Sequence, residues 1–286
     1  MDLPNNMLRK IRNNFTETFY RLVMNERSRF FEDEIGCDTT KQKLDAIKRY
    51  AVANSLHYAE YGNGVDAIGG LSTDWNFEDL PFLEKQHIRV GTVERLRVPG
   101  VKGWCRQTSG TTGLPVRVYI DSGTLAAQLA ARWFYFSWYG LSPGLPEGRF
   151  WGRHDKRTVK AWCKDAILNR VVFQLDSRNP DQFSEAMKKL ARWQPAYLYG
   201  YSSLLIKAAE EFDRLPYNRP RPNVIFSTAE MLSEAQREYI SSIFGCPVVQ
   251  EYGCSEVDII AFECPNGRYH LNNHRLFVEF PENELG

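Results

Sequence analysis

Thr108-Ser109-Gly110-Thr111-Thr112-Gly113-Leu114-Pro115 lies between two segments that read as strands, 103–108 before it and 116–120 after it. Almost every residue in the loop is small and can donate through a hydroxyl or an uncovered backbone N–H. Gly110 and Gly113 let the backbone curl with positive φ and come close to a ligand. A concave ring of N–H and O–H donors suits a phosphate. A polar hairpin turn fits the same composition, because Ser, Thr and Gly also populate turns. The loop is neither a Walker A sequence nor a dinucleotide G-x-G-x-x-G.

Outward from the loop, the pattern alternates. Residues 122–139 read as a buried helix whose aromatic run, from Trp133 to Tyr139, fits core packing better than an aromatic ligand pocket. Helical periodicity returns at 180–191, 202–212 and 233–244, and short strand-like runs fall at 196–201, 223–228 and 247–252. The serines at 202 and 203 can cap the helix that follows them. Strands alternating with helices predict an α/β fold with parallel pairs and crossover helices. Upstream, 7–29 and 40–59 carry apolar residues at helical spacing, with Leu8, Ile11, Phe15, Phe19 and Leu22 as the first stripe. A glycine-rich break over 62–70 follows, then a turn and a further short helix near 79–85. The expected division is a helical portion over 1–90 and an α/β core over 91–286, both within one domain.

Composition narrows the classes of function. Lys and Arg total 36 against 35 Asp and Glu, for a net charge of +1, which gives no electrostatic case for nucleic acid or an anionic membrane. No uncharged run approaches the ~18 residues needed to span a bilayer. The N-terminal stretch lacks the apolar core and small-residue cleavage site of a signal peptide, so a cytoplasmic protein is expected. Six scattered cysteines with no C-x-x-C pair read as reduced thiols rather than a disulfide framework.

Two further stretches complete a constellation with the loop. Glu251-Tyr252-Gly253-Cys254-Ser255-Glu256 lies about 140 residues downstream, and Ser227-Thr228-Ala229-Glu230 falls between them. With Thr108–Pro115 these resemble, in order and spacing, the phosphate loop, the Y-G-x-[ST]-E motif and the adenine-binding strand end of the adenylate-forming (acyl- and aryl-CoA synthetase) superfamily. Val116 stands where many members carry lysine, a departure similar to the phenylacetate–CoA ligase group. Leu198-Tyr-Gly-Tyr-Ser-Ser-Leu-Leu205 and Phe262-Glu-Cys-Pro-Asn-Gly-Arg-Tyr-His-Leu271 resemble the CapK-like capsular polysaccharide biosynthesis proteins of that group. The resemblance covers residues ~100–286.

The resemblance implies a large adenylation domain, with mixed and parallel sheets and flanking helices, that turns ATP and a carboxylic acid into an acyl-adenylate. Transfer to coenzyme A or another acceptor follows. By the same resemblance, Thr108, Ser109, Gly110 and Gly113 bind the phosphates and Thr111 and Thr112 act with them in catalysis. Glu256 holds Mg²⁺, a hard cation suited to carboxylate oxygen, and Ser255 contacts the α-phosphate. Ser227, Thr228, Ala229 and Glu230 flank the base, with Glu251, Tyr252, Gly253 and Cys254 beneath it. Trp151, His154, Tyr199, Gly200, Tyr201 and Ser202 are the candidate acyl pocket. Cys264 and His270 bracket a tight turn and can supply two of four zinc ligands, or close a structural hairpin. The expected small molecules are the acid, ATP and CoA, with a homodimer allowed and no nucleic-acid partner.

Superfamily members continue into a hinge and a small C-terminal domain that carries the adenylating lysine. This sequence stops at Gly286 in mid-pattern, so the domain is expected to be incomplete and weak in catalysis alone. The rival readings are a non-catalytic nucleotide-binding or scaffold protein, and transfer of the activated acid to a sugar or carrier protein.

Overall fold

The computed structural model describes residues 3–24, 40–60, 83, 96–107, 116–152, 158–176, 179–214 and 219–280. The phosphate-loop residues Thr108 to Gly113, with Leu114 and Pro115, lie outside the described residues, as do Arg153, His154 and the glycine-rich break. The chain divides into two compact units: 1–31 with 126–272, and 32–125 with 273–286. This is a different cut from the expected one at residue 90.

In the second unit, α2 (Thr40–Asn54) leads into a 3₁₀ turn (Tyr58–Glu60), and β1 (Gly103–Gln107) pairs antiparallel with β2 (Arg117–Asp121). The loop 108–115 therefore joins two paired strands, as its flanks predicted. Val116 is 2% exposed, so this position packs into the interior. Helix α3 (Ser122–Ser137) starts at the end of this unit and carries on into the first.

The first unit is built on a seven-stranded sheet. Its strands are β3 (Glu147–Gly152), β4 (Arg170–Leu175), β5 (Tyr197–Tyr201), β6 (Val224–Thr228), β7 (Val248–Cys254), β8 (Asp258–Glu263) and β9 (Tyr269–Leu271), in the order β4-β3-β5-β6-β7-β8-β9. The pairs from β4 through β7 are parallel, and β7-β8-β9 is antiparallel. Parallel neighbours need crossovers, and α4 (Val159–Ile167), α5 (Pro180–Trp193), α6 (Ser202–Arg214) and α7 (Glu234–Phe244) supply them. The mixed α/β expectation is met.

Alternation along the strands separates two cores. Phe150, Leu198, Ile225 and Val248 face α5, α6 and α7 through Met187, Leu190, Leu205, Phe212 and Ile240. Tyr197, Tyr199, Phe226, Val249 and Phe262 face α3 through Ala131, Trp133, Tyr135 and Phe136, with Tyr20 and Met24 of α1 (Leu3–Met24). Phe136 stacks on Phe226 at 4.1 Å and Tyr135 on Phe262 at 5.1 Å, so the aromatic run of α3 is core. Each such ring buries a large apolar area and adds about 0.5–1.5 kcal/mol per ring pair.

Local signals explain the helix ends. Ser233 and Gln236 form a reciprocal capping box at α7, which ends on Gly245 at φ 69°. Asn179 caps α5 by accepting from the Gln182 N–H. At α6 the expected serine cap is corrected. Ser202 Oγ lies 2.6 Å from Ser227 Oγ and donates to the Glu230 carbonyl, while the Glu230 carboxylate accepts from the Ser203 N–H at 2.8 Å.

Two more corrections concern elements that the pattern misdrew. The strand–helix–strand run β3-α4-β4 was not foreseen, because Glu147, Arg149 and Arg170 make it look like surface. Glu147 is 1% exposed, and its charge is met by the two arginines. In α1 the buried ridge is Thr16, Tyr20 and Met24, whereas Phe15 and Leu22 are 60% and 75% exposed. Polar anchors set that rotation: Thr16 Oγ1 donates to the Ile167 carbonyl at 2.6 Å, and Asn169 Nδ2 donates to Asn13 Oδ1 at 2.7 Å.

Candidate active site

The C-terminal ends of β3, β5, β6 and β7 lie side by side. Register pairs Phe150 with Gly200, Gly200 with Ser227, Tyr201 with Thr228, and Ser227 with Gln250. In open α/β sheets ligands bind outside these ends. The structure thus brings together Trp151, Tyr199 to Ser202, Ser227 to Glu230 and Glu251 to Glu256. Gly200 is forced by packing, since a Cβ there would sit 2.5 Å from the Phe150 carbonyl oxygen.

A charged lock holds the edge facing α3. Glu251 Oε1 accepts from Thr228 Oγ1 at 2.9 Å and from the Tyr199 hydroxyl, and its Oε2 accepts from Arg132 Nη1 at 3.2 Å. Arg132 Nη2 donates in turn to Asp258 Oδ1 at 2.7 Å. Burial works to lower the Arg132 guanidinium, but Asp258 and Glu251 outweigh it and raise its pKa. Burial pushes the Tyr199 phenol up, with Arg132 opposing and Glu251 adding, so the hydroxyl stays a proton donor. Both Glu251 oxygens are taken by internal donors. In this arrangement Glu251 orients Tyr199, Thr228 and Arg132.

Glu251-Tyr-Gly-Cys-Ser-Glu256 runs off the end of β7 into the turn before β8. The ladder slips between Tyr252 and Gly253, and Asp258 takes φ 69°. A Cβ on Gly253 would lie 2.1 Å from the Asp258 carbonyl oxygen, so the hairpin closes only around glycine. The bulge leaves Tyr252 64% exposed, and Cys254 is exposed beside it. Glu256 lies partly exposed in the turn, with no cationic partner among the described residues. A partly solvated carboxylate of this kind fits Mg²⁺, which keeps most of its waters and takes one or two protein carboxylates.

On β6, Ser227 is 1% exposed and bonded to Ser202, whereas Ala229 turns outward at φ 65° and Glu230 caps α6. Cys264 and His270 flank the β8–β9 turn, which is closed by Cys264 N–H to the Arg268 carbonyl at 2.8 Å. His270 packs edge-on to Trp138 at 5.2 Å. Among the described residues, no group of three or more His, Cys, Asp and Glu side chains is placed to hold a metal.

Sequence reading missed Arg132, Glu147, Arg149 and Asp258. Arg132 carried a signal, because a lone arginine in the apolar run 125–136 must be paired if that helix is buried.

The fold is one that this chain shares with solved structures of CoA ligases. A solved structure of 2-hydroxyisobutyryl-CoA ligase, in the postadenylation state with 2-HIB-AMP, superposes with a TM-score of 0.60 at 18% identity, over 80% of this chain and 51% of that one. An open conformation of the same ligase with 2-HIB-AMP and CoA gives 0.59 over 79% and 52%. In sequence the chain is similar to Protein CapK of Staphylococcus aureus, 24% identical over 237 residues. That match covers 81% of this chain and 53% of CapK, so the chain spans about half the length of the relatives it matches. The sequence similarity to CapK and the fold shared with CoA ligases agree with the resemblance read from the sequence. No protein-family model matches the chain. None of the described helices is long and apolar enough to cross a membrane.

Proposed function

We propose that this chain is the nucleotide- and acid-binding part of an AMP-forming carboxylate ligase. The carboxylate attacks the α-phosphate of ATP, the acyl–O–phosphorus bond forms, and pyrophosphate leaves with the electron pair of the broken phosphoanhydride bond. The acyl-adenylate then passes its acyl group to a thiol such as coenzyme A. A carboxylate is a poor acyl donor until AMP becomes its leaving group, and charge crowds at the α-phosphate as that bond forms. Loop 108–115 supplies phosphate donors in this reading, Thr111 and Thr112 foremost. Glu256 holds the Mg²⁺, whose positive charge offsets that of the phosphates. In the same reading Ser255 contacts the α-phosphate, and Ala229 and Tyr252 border the base.

The observation that carries this reading is the glycine-dependent bend of Tyr252 to Glu256 at the C-terminal edge of the parallel sheet. Calorimetric titration of the chain with ATP, with and without Mg²⁺, tests it. Binding is expected only with Mg²⁺, and Glu256→Ala is expected to weaken it roughly 10-fold or more, the worth of one charged ligand. Equal binding by both proteins overturns the role of Glu256.

A second reading changes the acceptor to a sugar or a carrier protein. It rests on the similarity to CapK, and product analysis of the whole protein with each acceptor separates it from a CoA ligase.

A further inference from the structure

Arg149 of β3 has an arginine's full set of donors and uses few of them. Its Nε donates to Glu147 Oε1 at 2.5 Å, and its terminal nitrogens make no hydrogen bond among the described residues. The side chain is 21% exposed, so it is not sealed in the core. The guanidinium carbon lies 4.5 Å from the Tyr199 ring centre and 5.7 Å from that of Trp151. Those two rings are within 12° of parallel, and Tyr201 closes on Trp151 at 4.4 Å. The result is a planar cation walled by aromatic rings, with its outer fork unpaired among the described residues.

Among the described residues, the carboxylate bonded to Arg149 is shared. Glu147 divides its carboxylate, giving Oε1 to Arg149 and Oε2 to Arg170 at 2.9 Å, with the Tyr197 hydroxyl donating to Oε2 at 3.0 Å. Asp165 stands 3.8 Å from Arg170 and serves that side, and Glu251 is engaged by Tyr199, Thr228 and Arg132. Among the described residues, one carboxylate shared between two guanidiniums leaves Arg149 short of negative charge. Planar guanidinium forks match carboxylates bidentately, and a few placed polar groups among apolar walls set specificity in small-molecule sites.

We propose that Arg149 is a specificity residue that binds a second carboxylate on the acid substrate, so that the substrate class is dicarboxylic. Trp151 and Tyr201 cover the carbon skeleton between the two acid groups, and the carboxylate to be activated is the one away from Arg149. This rests on the reading of the chain as an acid-activating domain.

The test titrates the 286-residue chain, with Mg·ATP binding measured alongside, against matched acids: butyrate and glutarate, benzoate and terephthalate, phenylacetate and 4-carboxyphenylacetate. In at least one pair the diacid is expected to bind roughly tenfold tighter, the worth of a charge-assisted bidentate contact. Arg149→Met is expected to erase that preference and leave Mg·ATP binding unchanged, and Arg149→Lys to keep part of it. Arg149→Lys retains the cation beside Glu147, so it serves if Arg149→Met does not fold. Equal binding within every pair, a preference that survives Arg149→Met, or no acid binding beside intact Mg·ATP binding each overturn the proposal. Failure to bind either Mg·ATP or any acid overturns the acid-activating reading itself, and the proposal falls with it.

Discussion

Glu147→Gln is expected to destabilise the sheet-bearing unit by about 3–5 kcal/mol, the usual loss when one partner of a buried ion pair is removed. The size follows from what remains behind. Glu147 is 1% exposed and accepts from Arg149, Arg170 and Tyr197 at the start of β3, between β4 and β5. Glutamine fills the same volume but leaves two guanidiniums facing each other with their anion gone. Urea unfolding, followed by fluorescence of the buried Trp133 and its neighbours, checks the figure. A loss below about 1 kcal/mol would place the pair among those that contribute little, as exposed bridges do.

The same residue sets a pH signature. Burial pushes the Glu147 carboxyl up, but Arg149 and Arg170 outweigh it and hold it at about 2, against an ordinary 4.5. The unfolded chain therefore takes up this proton at a higher pH than the folded one. Stability from Glu147 is fully present above 4.5 and is lost as pH falls through about 2. Unfolding measured from pH 7 down to pH 2 is expected to show that loss in the wild type. Glu147→Gln is expected to lack that part of the acid slope. Identical slopes would assign the acid sensitivity to other carboxylates.

That ion cluster also marks where sequence reading stops. Apolar alternation made β5, β6 and β7 legible, and helical periodicity over 233–244 did the same for α7. β3 and β4 escaped because their inward positions hold Glu147, Arg149 and Arg170, and a buried charge is indistinguishable from a surface one until its partner is known. The partners are far apart in sequence: Arg132 is 119 residues from Glu251, and Tyr199 is 52. The strand-end motifs are readable as contiguous strings, and the sheet sets the ends of β6 and β7 side by side. The residues that orient them are not, since pairing across strands is a property of register. Glu251 illustrates the difference, being legible as part of a nucleotide motif while its oxygens are spent on Tyr199, Thr228 and Arg132.

Gly253→Ala is expected to abolish Mg·ATP binding while the seven-stranded sheet persists. The added Cβ would meet the Asp258 carbonyl oxygen at 2.1 Å, its carbon at 3.0 Å and Ile259 Cα at 3.3 Å. All three are backbone atoms, so no side chain can swing aside, and relief requires the β7–β8 hairpin to open at its bulge. Overpacking of this kind costs about 1–3 kcal/mol in stability. The larger effect falls on the site. Opening the hairpin moves Asp258, whose carboxylate anchors Arg132, and Arg132 in turn anchors Glu251. Tyr252, Ser255 and Glu256 leave their places with the backbone. Calorimetric titration beside Glu256→Ala and Asp258→Asn separates the contributions. Glu256→Ala removes one carboxylate on an unchanged backbone, and Asp258→Asn removes the anchor's charge on an unchanged bulge. Both single changes are expected to weaken binding less than Gly253→Ala does. Wild-type affinity in Gly253→Ala would mean that the bend does not shape the nucleotide site, and the functional reading would lose the observation that carries it.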